Sequence, residues 1–165
     1  MIHAAAPEPA HGVSAPGSSV GRQSRPALVR DIMQTKLVKI SADDRLSTVE
    51  DIMTLGGVRH MPVVQRGELV GVVSERDLLR ASLSSLNEFG REQRRAFLQG
   101  VEIRRVMSSP VIVVAPEVTV EQAAQVLAER KIGCLPVVGA EGDLVGLVTE
   151  TDVLRYFARL HAGRT

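Results

Sequence analysis

The sequence predicts a mixed α-β fold of the α+β kind, made of two tandem βαββα units. Three observations lie behind this: a near-duplicated segment, an apolar hairpin signature in each copy, and an amphipathic helical stripe ahead of each hairpin. The segment Met61-Pro62-Val63-Val64, a turn at Gly67 and Leu69-Val70-Gly71-Val72-Val73-Ser74-Glu75-Arg76-Asp77-Leu78-Leu79-Arg80 comes first. It returns as Leu135-Pro136-Val137-Val138, a turn at Gly142 and Leu144-Val145-Gly146-Leu147-Val148-Thr149-Glu150-Thr151-Asp152-Val153-Leu154-Arg155. Such an internal repeat fixes the architecture ahead of any single residue. The copies lie 74 residues apart from Met33 to Met107 and 75 apart from Asp77 to Asp152, so one residue has been added between those marks. It falls in the turn, Gln65-Arg66-Gly67 against Gly139-Ala140-Glu141-Gly142, where insertions cost least.

Residues 1–26 are rich in Ala, Pro, Gly and Ser and predict a flexible tail, because such a composition buries too little apolar surface to offset the entropy of ordering. Residues 27–81 read as the first repeat, 82–100 as a helical connector and 101–161 as the second repeat. Each repeat opens with a short helical turn, Val29-Arg30-Asp31-Ile32-Met33 or Ile103-Arg104-Arg105-Val106-Met107. A strand is expected next, around Leu37-Val38-Lys39-Ile40 and around Val111-Ile112-Val113-Val114. A helix follows, because Leu46, Val49 and Met53 form one apolar stripe and Val120, Ala123, Ala124 and Leu127 form its counterpart. The hairpin comes next. Pro62 and Pro136 lack an amide donor and should begin a strand or sit at an edge. Gly71 and Gly146, inside the second strand of each hairpin, leave room for a backbone or a ligand to come close. That strand runs into a helix at Ser74 and at Thr149. One repeat alone would leave an apolar sheet face in water, so the two copies should pack together. The connector carries Leu83, Leu86, Phe89, Phe97 and Leu98 among Arg91, Arg94 and Arg95, which predicts a helix with one buried side and a solvated arginine face.

Composition excludes several function classes. Twenty basic against 19 acidic residues give a net charge of +1, too little field to draw in nucleic acid, and 2% aromatic residues leave few surfaces for bases to stack on. No apolar run approaches membrane-spanning length and the first residues carry no secretory leader, so the expected compartment is the cytoplasm, with no nucleic acid or membrane as partner. The single cysteine, Cys134, forms no internal disulfide and reads as a small buried residue. His3, His11, His60 and His161 lack metal-ligand spacing, and Met33, Met53, Met61 and Met107 read as core filling. No nucleophile with its base and no Gly-rich phosphate loop is present, so no catalytic role is expected.

The chemistry concentrates at Ser74-Glu75-Arg76-Asp77 and Thr149-Glu150-Thr151-Asp152. A hydroxyl residue followed three positions later by an acid is a capping box, which satisfies the first amides of a helix and needs no ligand. The same segments also stand at the carboxyl end of a strand in an α/β unit, where ligands bind and free helix amides favour phosphate. A carboxylate there accepts hydrogen bonds from the two adjacent hydroxyls of a ribose. Both readings stand on the residues alone.

The ordered series of Pro-Val-Val, Gly turn, Val-Gly-hydrophobic-Val and Ser/Thr-x-x-Asp, present twice over residues 28–160, resembles a tandem pair of CBS domains, the modules named after cystathionine beta-synthase. The resemblance implies two repeats packed about a pseudo-twofold axis, binding adenosine nucleotides (AMP, ADP or ATP) in clefts between them. By position, Asp77 and Asp152 would hold ribose, Ser74 and Thr149 would bond ribose or phosphate, and Arg76 would face phosphate. Lys36, Leu37, His60, Met61 and Pro62 would line the first cleft, and Pro110, Val111, Cys134, Leu135 and Pro136 the second. Thr151 replaces Arg76, and Gly133-Cys134 replaces Arg59-His60, so the clefts should differ in affinity or ligand. The resemblance further implies a regulatory module that signals through a change of shape or assembly, a homodimer meeting through its helices, and a separate client protein. The rivals are a ligand-free dimerisation or scaffolding module, a small nucleotide-acting enzyme, and a binder of S-adenosylmethionine or a nicotinamide dinucleotide.

Overall fold

The computed structural model describes residues 25–86 and 91–162. All of the expected tail except Arg25 and Pro26 lies outside these residues, as does Phe89. In chain order the elements are α1 (Val29–Ile32), β1 (Ile40–Ser41), α2 (Leu46–Gly56), β2 (His60–Gln65), β3 (Glu68–Ser74), α3 (Glu75–Leu86), α4 (Arg91–Gly100), a 3-10 turn (Ile103–Arg105), α5 (Val120–Arg130), β4 (Cys134–Val138), β5 (Leu144–Thr149) and α6 (Glu150–Ala162). No described helix is long and apolar enough to cross a membrane.

The apolar stripes become the inner faces of the helices. Leu46 and Val49 are wholly buried and Met53 nearly so, and Val120, Ala123 and Leu127 repeat the pattern on α5. Burying each such side chain is worth about 1.5–3 kcal/mol, so the stripe, more than intrinsic propensity, holds these short helices. Thr119 caps α5 with its Oγ1 accepting from the Gln122 amide at 3.2 Å, while Gln122 Oε1 accepts from the Thr119 amide at 3.1 Å. Arg45 gives α2 no such cap; the carbonyl of Val101, from the far side of the connector, accepts the Leu46 amide at 2.9 Å instead.

Each hairpin is antiparallel, with β1 adding a parallel edge to the first sheet. The Arg66-Gly67 turn holds both residues at positive φ, 52° and 87°, the geometry whose twist matches a two-residue hairpin. In the second repeat the turn is longer and Gly142 carries the positive φ, at 86°. The strands expected over 37–40 and 111–114 are shorter than the apolar runs suggested. The first keeps only Ile40–Ser41, and the second only one parallel bridge from Val114 to Val137. Val38, Ile112 and Val113 stay exposed, so these runs are not buried sheet interior.

Two cores result, and each borrows its opening turn from the other repeat. Val29 is wholly buried among Val120, Leu135, Val137 and Val148, while Ile103 is wholly buried among Leu46, Met61, Val63 and Val73. The exchange is reciprocal down to the backbone. The Val29 amide donates to Val118 and the Ile103 amide to Asp44, at 2.8 and 3.0 Å. Val72 and Ser108 exchange two bonds at 3.2 and 2.8 Å, as Gln34 and Leu147 do at 2.9 Å each. Such paired contacts express the pseudo-twofold relation between the repeats. Gly71 and Gly146 are explained here: the space each leaves is filled by a methionine of the opposite opening turn, Met107 and Met33 respectively.

The connector is helical through α3 and α4. Leu98 is wholly buried in the first core. The arginine face, expected to be solvated, is partly engaged. Arg94 pairs with Glu50 and donates to Ser82 Oγ at 3.1 Å, and Arg95 forms two bonds to Asp51 at 2.9 and 3.0 Å. That pair holds the Asp51 carboxyl below its ordinary range, its hydrogen bonds to Arg95 being the main cause.

Candidate functional site

Both Ser/Thr-x-x-Asp segments sit at a strand-to-helix corner, β3 into α3 and β5 into α6. Both are capping boxes. Asp77 Oδ2 accepts the Ser74 amide at 2.9 Å and the Ser74 hydroxyl at 2.6 Å, and the Asp77 amide donates back to Ser74 Oγ at 3.3 Å. Thr149 and Asp152 repeat this at 3.0, 2.6 and 3.3 Å. The cap uses one oxygen of each carboxylate and leaves Oδ1 for another donor. Capping and ligand binding are therefore compatible at these corners.

A cavity of about 730 Å3 opens at the first corner, lined by Ser74, Arg76 and Asp77 together with His60. Its opposite wall comes from the second repeat: Ser108, Pro110, Val111, Ile112, Gly133, Cys134, Pro136 and Glu150. The volume is within the range of small-molecule sites, and the wall combines aliphatic surface with a few convergent polar groups. Arg59, Arg80, Arg94 and Lys131 also line it, against the acids Glu75, Asp77 and Glu150. Arg59 pairs with Glu75 at 3.7 Å and Arg94 with Glu50. Lys131 ends α5 at a φ of 54°, where the equivalent position in the first repeat is Gly57.

The expected partition of site residues between the clefts is corrected by this geometry. Pro110, Val111, Cys134 and Pro136, expected opposite Asp152, share a cavity with Asp77. The cause is the exchanged opening turns: the chain after Met107 crosses to β3, and the chain after Met33 crosses to β5. Lys36 and Leu37 follow Met33 to the other side, and neither lines this cavity. Met61 and Leu135 are wholly buried members of the two cores, so their side chains face inward and not into a cleft. Pro62 is paired with Val72 in the hairpin and is also absent from the wall.

His60 stands against Gly133, where a β-carbon would lie 2.5 Å from Nε2, so the glycine makes room for the imidazole. Burial lowers the pKa of His60, while Glu150 and Asp77 pull it upward. Burial also pushes the Cys134 thiol up to about 12, with Asp77 and Glu150 adding to the shift. Cys134 is therefore a neutral apolar contact at physiological pH and not a nucleophile.

At the second corner Thr149 and Asp152 meet a different surrounding. Asp152 is buried, and the Gln34 side chain donates from Nε2 to its Oδ1 and Oδ2 at 3.3 and 3.4 Å. Sequence reasoning missed Gln34, Ser108 and Lys131. Their signals lay in the alignment of the repeats: Met33-Gln34 against Met107-Ser108, and Gly57 against Lys131.

The CBS domain profile matches residues 29–84 and again residues 103–159. The crystal structure of CBSX2 in complex with AMP is 28% identical and superposes with a TM-score of 0.67, covering 82% of this chain and 98% of that one. The CBS domain of a CBS domain-containing membrane protein from Sphaerobacter thermophilus is 31% identical with a TM-score of 0.66, covering 79% and 88%. An inosine-5'-monophosphate dehydrogenase from Korarchaeum cryptofilum is 31% identical over 126 residues, 76% of this chain and 22% of that enzyme, so the chain spans about a fifth of its length.

Proposed function

Since the chain belongs to the CBS-domain family and carries two copies of the domain, we propose that it is a regulatory module that binds an adenosine nucleotide in the cleft at Asp77. The observation that carries this reading is the Asp77 carboxylate, whose Oδ1 has no protein partner among the described residues, at the wall of a 730 Å3 cavity. A ribose supplies two adjacent hydroxyl donors, for which Oδ1 has two lone pairs, and Ser74 supplies a hydroxyl oxygen beside it. Val72, Pro110, Val111 and Ile112 offer an aliphatic slot for a base, suited to a chain with 2% aromatic residues. Arg76 and Lys131, both exposed, carry positive charge for phosphate. AMP in the CBSX2 structure supports an adenosine ligand over other small molecules.

The ligand would act by binding one arrangement of the repeats better than another, since only a difference in affinity shifts a population. Both sides of the cleft contribute to its wall, so closure on a nucleotide would draw β3 and β4 together. A homodimer fits the same reading. Leu79 on α3 and Leu154 on α6 occupy equivalent positions and are 57% and 68% exposed, which gives each repeat an apolar helix face for a second copy.

Calorimetry with AMP, ADP and ATP on the wild-type chain and on Asp77→Asn tests the proposal. Asparagine retains an acceptor for the Ser74 amide, so the cap survives while ribose recognition weakens. The expected result is binding to wild type and at least about a tenfold loss in the variant, which corresponds to about 1.4 kcal/mol. Equal affinity of the two proteins would overturn the assignment of Asp77 to ribose. Absence of binding to wild type would favour a scaffolding role in which both corners are caps alone.

A further inference from the structure

Among the differences between the two Ser/Thr-x-x-Asp corners, one lies at the equivalent positions Ser108 and Gln34. Ser108 bridges the backbone of Val72 and Gln34 bridges that of Leu147, so each stands beside one Ser/Thr-x-x-Asp corner. Ser108 has a short side chain and lines the cavity that contains Asp77. Gln34 has a long one, and its carboxamide reaches Asp152, with Nε2 straddling the two carboxylate oxygens at 3.3 and 3.4 Å. Asp152 is left 9% exposed. Both carboxylate oxygens of Asp152 thus already accept from the protein, Oδ1 from Gln34 and Oδ2 from Gln34 and Thr149.

We infer that Gln34 is an internal plug that leaves this chain with a single nucleotide crevice, the one at Asp77. The inference rests on the nucleotide reading given above and adds its stoichiometry and the residue that sets it. A tethered group competes with free ligand at an effective concentration on the order of millimolar or more. The backbone bonds between Gln34 and Leu147 fix the tether, so the carboxamide needs only its own side-chain rotations to find Asp152. Ser108 is too short to do the same for Asp77.

The residue swap between the two positions tests this, with AMP and ATP as probes and calorimetry and native mass spectrometry as readouts on the full chain. Wild type should bind one nucleotide per chain, and Asp152→Asn should leave that isotherm unchanged. Gln34→Ser should add a second binding event, which Asp152→Asn placed in the same chain should remove. Ser108→Gln should weaken binding at the Asp77 crevice at least about tenfold, with circular dichroism confirming the native fold. Two nucleotides per wild-type chain or a single event in Gln34→Ser would each overturn the plug while leaving the nucleotide reading intact, and loss of binding in Asp152→Asn would overturn both the plug and the placement of the nucleotide at Asp77. No nucleotide on either wild type or Gln34→Ser would overturn the nucleotide reading and the plug together.

Discussion

The side chain of Met107 lies against the α-carbon of Gly71, with Cγ 2.9 Å and Cβ 3.3 Å from where a β-carbon would stand. The mirror relation holds between Met33 and Gly146, with Sδ at 2.5 Å and the Gln34 carbonyl at 3.3 Å. These two contacts join the repeats. Alanine at either glycine would overpack a close contact, and each substitution should cost about 1–3 kcal/mol in urea unfolding. Gly71→Ala should be partly rescued by Met107→Ala, because a shared contact makes the two changes non-additive. Gly146→Ala should be the more damaging of the pair, since backbone as well as side chain would have to move.

Lys131 holds a left-handed φ of 54° at the end of α5, where the first repeat uses Gly57 at 61°. A β-carbon in this region costs about 1–2 kcal/mol. Lys131→Gly should therefore raise stability by an amount of that order, reduced by the entropy glycine gains when unfolded. The same change removes a cation from the crevice wall and should weaken ATP binding more than AMP binding. Denaturation midpoints and calorimetry on one variant measure both effects.

His60 couples the crevice to pH. Burial lowers its pKa from 6.5, so the unfolded chain takes up the proton more readily than the folded one. The slope of stability with pH is then positive: the contribution is present above the unfolded value and is lost as pH falls through the window just below it. Urea midpoints measured between about pH 5.5 and 7 should fall with acidification, and His60→Asn should flatten that trend. A phosphate brought near the imidazole would favour the proton, so nucleotide binding in that window should be accompanied by proton uptake, read from calorimetry in buffers of different ionisation heat.

Cys134, buried and with its thiol pushed up to about 12, should resist alkylation in the folded chain. At pH 8 the native protein should react at least about a hundredfold more slowly with iodoacetamide than the urea-unfolded chain, because both thiolate fraction and access are withheld. Mass spectrometry of timed samples gives the two rates. Equal rates would show that the start of β4 opens readily.

The repeat, the helices beginning at Leu46 and Val120, the hairpins and the corners at Ser74 and Thr149 are legible in the sequence because each is set by local periodicity or a short cap motif. The exchange of opening turns is not. Nothing in Val29-Arg30-Asp31-Ile32-Met33 says which of two similar cores will receive it, since that choice is made by packing between residues some ninety positions apart, such as Val29 and Val118. The partition of residues between crevices went wrong for that reason. The strands around Val38 and Ile112 are shorter than expected because an apolar run reads the same whether it fills a sheet or stays exposed. The contact of Gln34 with Asp152 is not legible either, because the Thr-x-x-Asp motif is local and Gln34 lies 118 residues away from it.

With Val29 seated in one core and Ile103 in the other, a chain severed between α3 and α4 yields two pieces that each carry the other's missing keystone. Each fragment is short of a buried residue of its core, the first of Ile103 and the second of Val29. Mixed, the pieces can complete each other, and the intact protein should melt in one cooperative step instead of two. A single melting step would make the duplication obligate, two copies of a module that are thermodynamically one.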